Sequence, residues 1–305
     1  MMMNKTRTFG VEKFDVVVMN PPYQEQKPGN KKTQTLWDKF VTKVVEQSLV
    51  EEGYLVAVHP SGWRNVDGLF KNTQLLLRSK QILSLEMHNI SDGLKTFGAE
   101  TRYDFYCLKN TKNNGNFITK IKCEDYKIER VNISKMEFIP NGMFKEIEKL
   151  LAVGNEPKVQ ILSNSDYHTQ RDHIGKIQNE EFKYPIIYRV RKDESLEFVY
   201  SKIKKGHFGI SKLIWSDCRV KSAGSLIDSN GKYGMNQFQF SIVDNSENLP
   251  NIKKAFDSKY FRKIMEFCAV SNLNINRKAI SLFRKDFWVD FLDYDETAVA
   301  EETKN

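Results

Sequence analysis

One stretch limits what this chain can fold into more than any other: Phe14-Asp15-Val16-Val17-Val18-Met19 followed at once by Asn20-Pro21-Pro22-Tyr23. Consecutive β-branched residues favour an extended strand. Two prolines then fix φ at successive positions and push the residues before them out of helical conformations, so neither strand pairing nor a helix continues past Asn20. What results is a stiff loop at the C-terminal end of a strand, the edge at which open α/β sheets receive ligands.

Such a loop offers two fixed acceptors, the Asn20 side-chain oxygen and the Pro21 carbonyl. Aimed at the hydrogens of a planar amino group, they favour a pyramidal nitrogen whose lone pair is free of the ring, as the exocyclic amine of adenine requires before it can act as a nucleophile. Tyr23 is placed to stack on the base. No acid or base is needed, and Asp15 reads as a structural strand residue. Asn-Pro-Pro also occurs in ordinary turns; the apolar strand before it and the ordered segments after it are what point to chemistry. Together they resemble the catalytic NPPY signature of S-adenosylmethionine-dependent amino-methyltransferases, above all DNA adenine-N6 methyltransferases of the restriction-modification type. The resemblance makes Asn20, Pro21, Pro22 and Tyr23 the catalytic residues.

The segments that follow keep the family's order. Leu36, Trp37, Phe40, Val41, Val44, Val45 and Leu49 form a helical stripe closed by Glu51-Glu52-Gly53, and residues 54–58 form a strand ending in His59-Pro60-Ser61-Gly62-Trp63. A second helix carries Leu69, Phe70, Leu75, Leu76 and Leu77, and residues 82–87 and 101–109 read as further strands. In the family an aromatic just before the last of these packs against a flipped base, which the resemblance assigns to Phe97. The expected fold class is α/β: a partial Rossmann-like methyltransferase sheet followed by an α+β target-recognition domain.

One departure from the family is large. Its cofactor site is a glycine-rich turn with a downstream acid, normally upstream of the catalytic motif or, in permuted members, near the C-terminus. Residues 1–13 alone precede the strand and residues 285–305 contain no glycine. The main S-adenosylmethionine motif is therefore expected to be absent from this chain, leaving either a second, cofactor-binding polypeptide or a truncated product of a longer gene. The chain by itself is then expected to bind the cofactor weakly or not at all.

With 305 residues there is room for two domains. The expected division is a catalytic portion at 1–125, a connector with a short helix at 126–152, a recognition domain at 153–292 and a flexible tail at 293–305. Blocks such as Tyr184-Pro185-Ile186-Ile187-Tyr188, Lys212-Leu213-Ile214-Trp215 and Tyr233-Gly234-Met235 resemble the recognition regions of such enzymes. Arg189, Arg191, Lys192, Lys204, Lys205, Lys212, Arg219 and Lys221 are the candidate contacts to double-stranded DNA, and a net charge of +8 suits a polyanion. Taken singly, each also reads as a solvated surface cation.

Cys107, Cys123, Cys218 and Cys268 are too far apart for a zinc site or a disulfide framework, and His168 and His173 read as loop residues, so no metal is expected. Asp217 and Lys221 lack the partner carboxylate of a nuclease. With no long apolar run and no signal-peptide core, a cytoplasmic location is the expectation. Two other functions stay open: a DNA-recognition subunit that no longer catalyses, and a methyltransferase acting on an RNA base or a protein glutamine.

Overall fold

The computed structural model describes residues 12–26, 33–66, 68–163 and 166–292, so the tail at 293–305 and part of the loop after Tyr23 lie outside the described residues. The chain divides into two compact units, Met1–Phe144 with Val270–Asn272, and Lys145–Ala269 with Leu273–Asn305. The fold is mixed α/β, as expected.

The first unit is built on strands β1 (Phe14–Met19), β4 (Leu49–Pro60), β5 (Lys80–His88), β6 (Tyr103–Lys112), β7 (Thr119–Lys122) and β8 (Ile128–Val131), with a small hairpin of β2 (Gln24–Gln26) and β3 (Thr33–Thr35). Helices α1 (Trp37–Lys43), α2 (Lys71–Arg78) and α3 (Ile90–Phe97) connect them. The sheet order is β1-β4-β6-β5-β7-β8. β1 runs parallel to β4, whereas β6 lies antiparallel between β4 and β5. The register places the end of β1 beside the middle of β4, with Met19 opposite Ala57.

Two local readings need correction. Glu51-Glu52-Gly53 does not close a helix: α1 stops at Lys43, one π-helical turn covers Val44–Ser48, and β4 starts at Leu49. Glu52 takes a φ of 64°, and the pairing jumps from Phe14–Leu49 to Val16–Tyr54, so these residues form an irregularity within the strand. The second correction is α3, which apolar periodicity did not reveal. Asn89 accepts from the Asp92 amide while the Asp92 carboxylate accepts from the Asn89 amide, and Gly98 ends the helix at φ 65°. Gly93 is fixed by packing, since a Cβ there would lie 1.9 Å from the Thr101 carbonyl.

The sheet is buried on one face only. Leu55, Ala57 and His59 of β4 and Tyr106 and Leu108 of β6 alternate into the core with Leu85 and Met87 of β5. On the opposite face Tyr54 and Phe105 are exposed, and on β1 Val16 and Val18 are 56% and 74% exposed. β1 also ends the strand order, so its outer edge from Val16 to Met19 meets no other strand among the described residues.

A buried ion pair organises the polar groups of this core. The Asp104 carboxylate accepts from Trp63 Nε1 at 2.7 Å and Arg64 Nε at 2.8 Å, and Arg64 Nη1 donates to the Ile139 carbonyl and to Asn141 Oδ1, both at 3.0 Å. This pair pins the turn after β4 to β6 and to the segment beyond β8. His59 lies 3.0 Å from the Pro60 carbonyl through Nδ1 and 3.1 Å from the Tyr106 hydroxyl through Nε2. A carbonyl can only accept, so Nδ1 carries the proton and Nε2 accepts.

The second unit continues from α4 (Phe144–Leu150) into two four-stranded sheets. One has the order β10 (Ile174–Gly175), β12 (Leu196–Ser201), β11 (Tyr184–Val190), β15 (Gly234–Met235); the other β14 (Ser225–Asp228), β13 (Lys212–Ser216), β16 (Gln239–Val243), β9 (Gln160–Leu162). Two helices follow, α5 (Leu249–Asp257) and α6 (Lys259–Cys268), divided at Ser258, whose hydroxyl caps the new start by accepting from the Phe261 amide. Phe256, Phe261, Ile264 and Met265 are core residues, and the Trp215 and Phe256 rings lie 5.2 Å apart.

Burial pushes the pKa of His59 down to about 4, and burial with the nearby Lys212 charge does the same to His207. Each titrates near 6.5 when unfolded, so the unfolded chain binds more protons between those values. Stability is full above about pH 6.5 and is lost as the pH falls towards 4, His59 accounting for about 3 kcal/mol. Urea melts across this range should show a shallower decline for His59→Gln than for the unaltered chain; equal slopes would contradict the assignment. Removing one partner of a buried pair leaves an uncompensated charge, so Asp104→Ala should lower the unfolding free energy of the first unit by about 3–5 kcal/mol, measured by the same melts.

Candidate functional site

The loop Asn20-Pro21-Pro22-Tyr23 leaves the end of β1 with Asn20 and Pro22 exposed, Pro21 buried and Tyr23 half-buried. The Tyr23 carbonyl accepts from the Leu36 amide at 3.1 Å, which ties the loop to the start of α1. Trp37, the first residue of α1, is buried and stacked on His59 at 4.2 Å with planes 14° apart. The loop is thus anchored at the proline and at Tyr23, and Asn20 is presented outward.

Tyr23 and Phe97 meet. Their ring centroids lie 5.9 Å apart, edge to face at 75°. The wall extends further than the sequence suggested: Phe97 meets Tyr103 edge-on at 4.9 Å, and Tyr103 stacks on His88 at 4.3 Å with planes 2° apart. His88 and Tyr103 are register partners at the ends of β5 and β6. An aromatic at the last position of one strand and the first of its neighbour is the signal that would have found them. Tyr103 Oη lies 3.1 Å from Thr96 Oγ1, which holds the end of α3, and with it Phe97, in place. Burial, with a smaller contribution from Tyr103, raises the Tyr23 pKa, and the Tyr23 hydroxyl makes no hydrogen bond among the described residues. The site therefore combines an exposed amide side chain, a fixed carbonyl and an aromatic wall, a set suited to a flat ring bearing an amino group.

Of the basic residues in the second unit, one is misplaced by sequence reasoning. Lys212 is fully buried: its Nζ donates to Asp228 Oδ2 at 2.7 Å and to the His207 carbonyl at 2.9 Å, so its charge serves the core and does not reach a phosphate. Lys212 opens β13, an inner strand buried at every position from Lys212 to Ser216, which a count of cations could not reveal. Arg189, Arg191 and Lys192 do come together, lining one cleft, with Glu197 bonded to Arg191 and 3.9 Å from Arg189. Lys204 lies over the Phe208 ring at 5.7 Å and Lys205 is 3.5 Å from Asp166. Arg219 is exposed, and Lys221 is exposed and 3.9 Å from Glu266.

Two glycines beside the sheet ends are closed to the backbone approach that S-adenosylmethionine would need. Beside the sheet ends, Gly62 backs onto the Phe70 ring and Gly93 onto the Thr101 carbonyl, so neither leaves the open backbone cradle that a nucleotide needs. Among the described residues no group of three metal-ligating side chains gathers. No helix is long and apolar enough to cross a membrane.

Comparison with solved structures gives similarity at low identity. The chain is similar to the MmeI type IIL restriction-modification enzyme in complex with DNA (9% identity, TM-score 0.48, 88% of this chain and 45% of that one). It is similar to the type I restriction enzyme EcoKI M protein (12% identity, TM-score 0.30, 37% of this chain and 26% of that one) and to a nuclease-deletion mutant of the type ISP enzyme LlaGI (10% identity, TM-score 0.41, 90% and 40%). The chain thus spans less than half the length of each, and similarity at this level says nothing of chemistry. No curated protein matches the chain. Residues 2–94 match the family model described as Eco57I restriction-modification methylase. That segment, which carries β1 and the Asn20–Tyr23 loop, is similar to the restriction-modification methylases.

Proposed function

We propose that the chain is the catalytic and recognition portion of a site-specific DNA adenine-N6 methyltransferase that uses S-adenosylmethionine and acts on an adenine flipped out of double-stranded DNA. The observation that carries this reading is the edge-to-face pairing of Tyr23 with Phe97 at the end of β1, beside an exposed Asn20. A base entering there stacks on Tyr23 and Phe97, and its amino group gives one hydrogen to Asn20 Oδ1 and the other to the Pro21 carbonyl. Unpairing costs a few kcal/mol, which the aromatic contact offsets.

The first unit takes the catalytic role and residues 153–292 the recognition role in this reading, in a cytoplasmic setting. The cations left after Lys212 is set aside, Arg189, Arg191, Lys192, Lys204, Lys205, Arg219 and Lys221, contact DNA. A cofactor-binding body, as a separate polypeptide or as further length of the same protein, covers the outer edge of β1 and the exposed side chains of Val16 and Val18. Exposed apolar side chains on an edge strand favour such a partner over solvent.

Asn20→Ala in the enzyme assembled with its partner should reduce methyl transfer to duplex DNA by at least about 100-fold, the scale of losing a preorganised polar group. Tyr23→Ala should lower turnover more than DNA binding. Transfer at the unaltered rate by the Asn20 variant would sink the assignment. Calorimetry separates the roles of the two bodies: the chain alone should bind S-adenosylmethionine weakly or not at all, and tight binding should appear with a partner from a neighbouring methyltransferase-like gene. Tight binding by the chain alone would reveal a cofactor site elsewhere in it. DNA binding that persists while no partner restores methyl transfer would favour a recognition subunit that does not catalyse.

A further inference from the structure

A cleft of 740 Å³ opens in the second unit where its two sheets meet, between β11 on one side and the ends of β13 and β16 on the other. Its floor is saturated. Ser216 Oγ accepts from the Val190 amide at 2.9 Å and donates to Gln239 Oε1 at 2.7 Å, while Gln239 Nε2 donates to the Tyr188 carbonyl at 2.8 Å. These bonds lock the two sheets together and leave the rim to make any contact with a ligand.

The rim carries both signs of charge and an aromatic. Arg189, Arg191 and Lys192 stand on one side with Asp193, and Asp217 and Phe238 on the other. Phe238 is 49% exposed, although its backbone is fixed on both sides: its amide donates to Asn236 Oδ1 at 2.9 Å, and its carbonyl accepts from the Asp217 amide at 2.7 Å. Arg189 is about half exposed and only 3.9 Å from Glu197, and one Asp217 oxygen accepts from Asn274 Nδ2 at 3.0 Å. A groove built only to track phosphates would be cationic throughout. Donors and acceptors set opposite one another around an apolar ring match a base edge, where arginine pairs with guanine O6 and N7, a carboxylate accepts from cytosine N4, and an apolar side chain meets the thymine methyl.

We propose that this cleft reads a base edge of the DNA target, with Phe238 as the apolar contact and Arg189 and Asp217 as polar readers. The proposal rests on the DNA-methyltransferase reading. Within it, the cations away from the cleft, such as Lys221, hold the backbone, and the cleft supplies sequence preference.

The test uses the full chain, assembled with its partner where one is needed for solubility, and short duplexes with a randomised central stretch, selected at low salt and sequenced. The unaltered chain should enrich particular sequences. Phe238→Ala and Arg189→Ala should each weaken binding to the preferred duplex by roughly 5- to 150-fold and flatten the preference at one position, whereas Lys221→Ala should weaken all duplexes alike. Arg189→Lys should retain most affinity yet lose that position's preference, because a lysine lacks the bidentate fork. Both altered side chains are about half exposed, and matching thermal melts establish that the fold is kept. Failure of the unaltered chain to bind any duplex would overturn the DNA reading itself. Binding without sequence preference, or Phe238 and Arg189 variants with unaltered affinity and preference, would overturn the cleft assignment and leave that reading standing.

Discussion

The candidate site hangs from a strand with one neighbour. β1 is held by parallel pairing with β4, which gives Val16 to Met19 their hydrogen bonds on one side only among the described residues. Everything that fixes the loop therefore comes from the β4 side. Leu55 and Ala57 bury the shared face, and Trp37 reaches across to stack on His59. The Tyr23–Leu36 hydrogen bond completes the anchor. Position is thus secured by packing beneath the loop, while the opposite face and the outer edge keep apolar and backbone groups available to another body. A sheet that buries one face and exposes valines on the other is incomplete in hydrophobic terms, even where its hydrogen bonds and core are in order.

Buried charge does a different job in each unit. In the first, Asp104 gathers Trp63 and Arg64, and Arg64 reaches the carbonyls of the segment after β8, so one ion pair registers three parts of the chain. In the second, Lys212 and Asp228 close a loop: Asp228 also accepts from the amides of Lys232 and Tyr233. Neither pair is strong evidence for net stability, since desolvation offsets much of the Coulombic gain. Their effect is directional. Breaking one partner is costly, so alternative packings that separate the charges are excluded.

Much of the first unit was legible because its signals are local and redundant. The apolar strand ending in Asn20-Pro21-Pro22-Tyr23 sits where expected, and the strands at β4, β5 and β6 occur in the expected order. Phe97, which the resemblance assigned to contact with a flipped base, lies edge to face with Tyr23. What was missed has identifiable causes. Residues 51–53 read as a helix stop because a glycine commonly ends a helix, yet they lie within β4, at the irregularity in its pairing with β1. α3 carries its signals at its ends, in the Asn89–Asp92 capping box and in Gly98. Tyr103 and His88 come together because two antiparallel strands set the end of one opposite the start of the other, so the pair is found only once both strand ends are placed.

The second unit shows why charge alone is a poor guide to a binding surface. Lys212 and Lys221 are equivalent in a count of cations, but the first sits on a strand buried along its whole length and pairs with Asp228, whereas the second stands on an exposed turn. Arg189 and Arg191 share Glu197, so part of their charge is already answered within the protein. An exposed pair of this kind is worth little when solvated, and a phosphate or a base edge can compete for the arginine with small loss. Surface cations become informative only once their partners are known: those already committed to buried acids support the fold, and those loosely held by exposed acids are poised to exchange partners with a ligand.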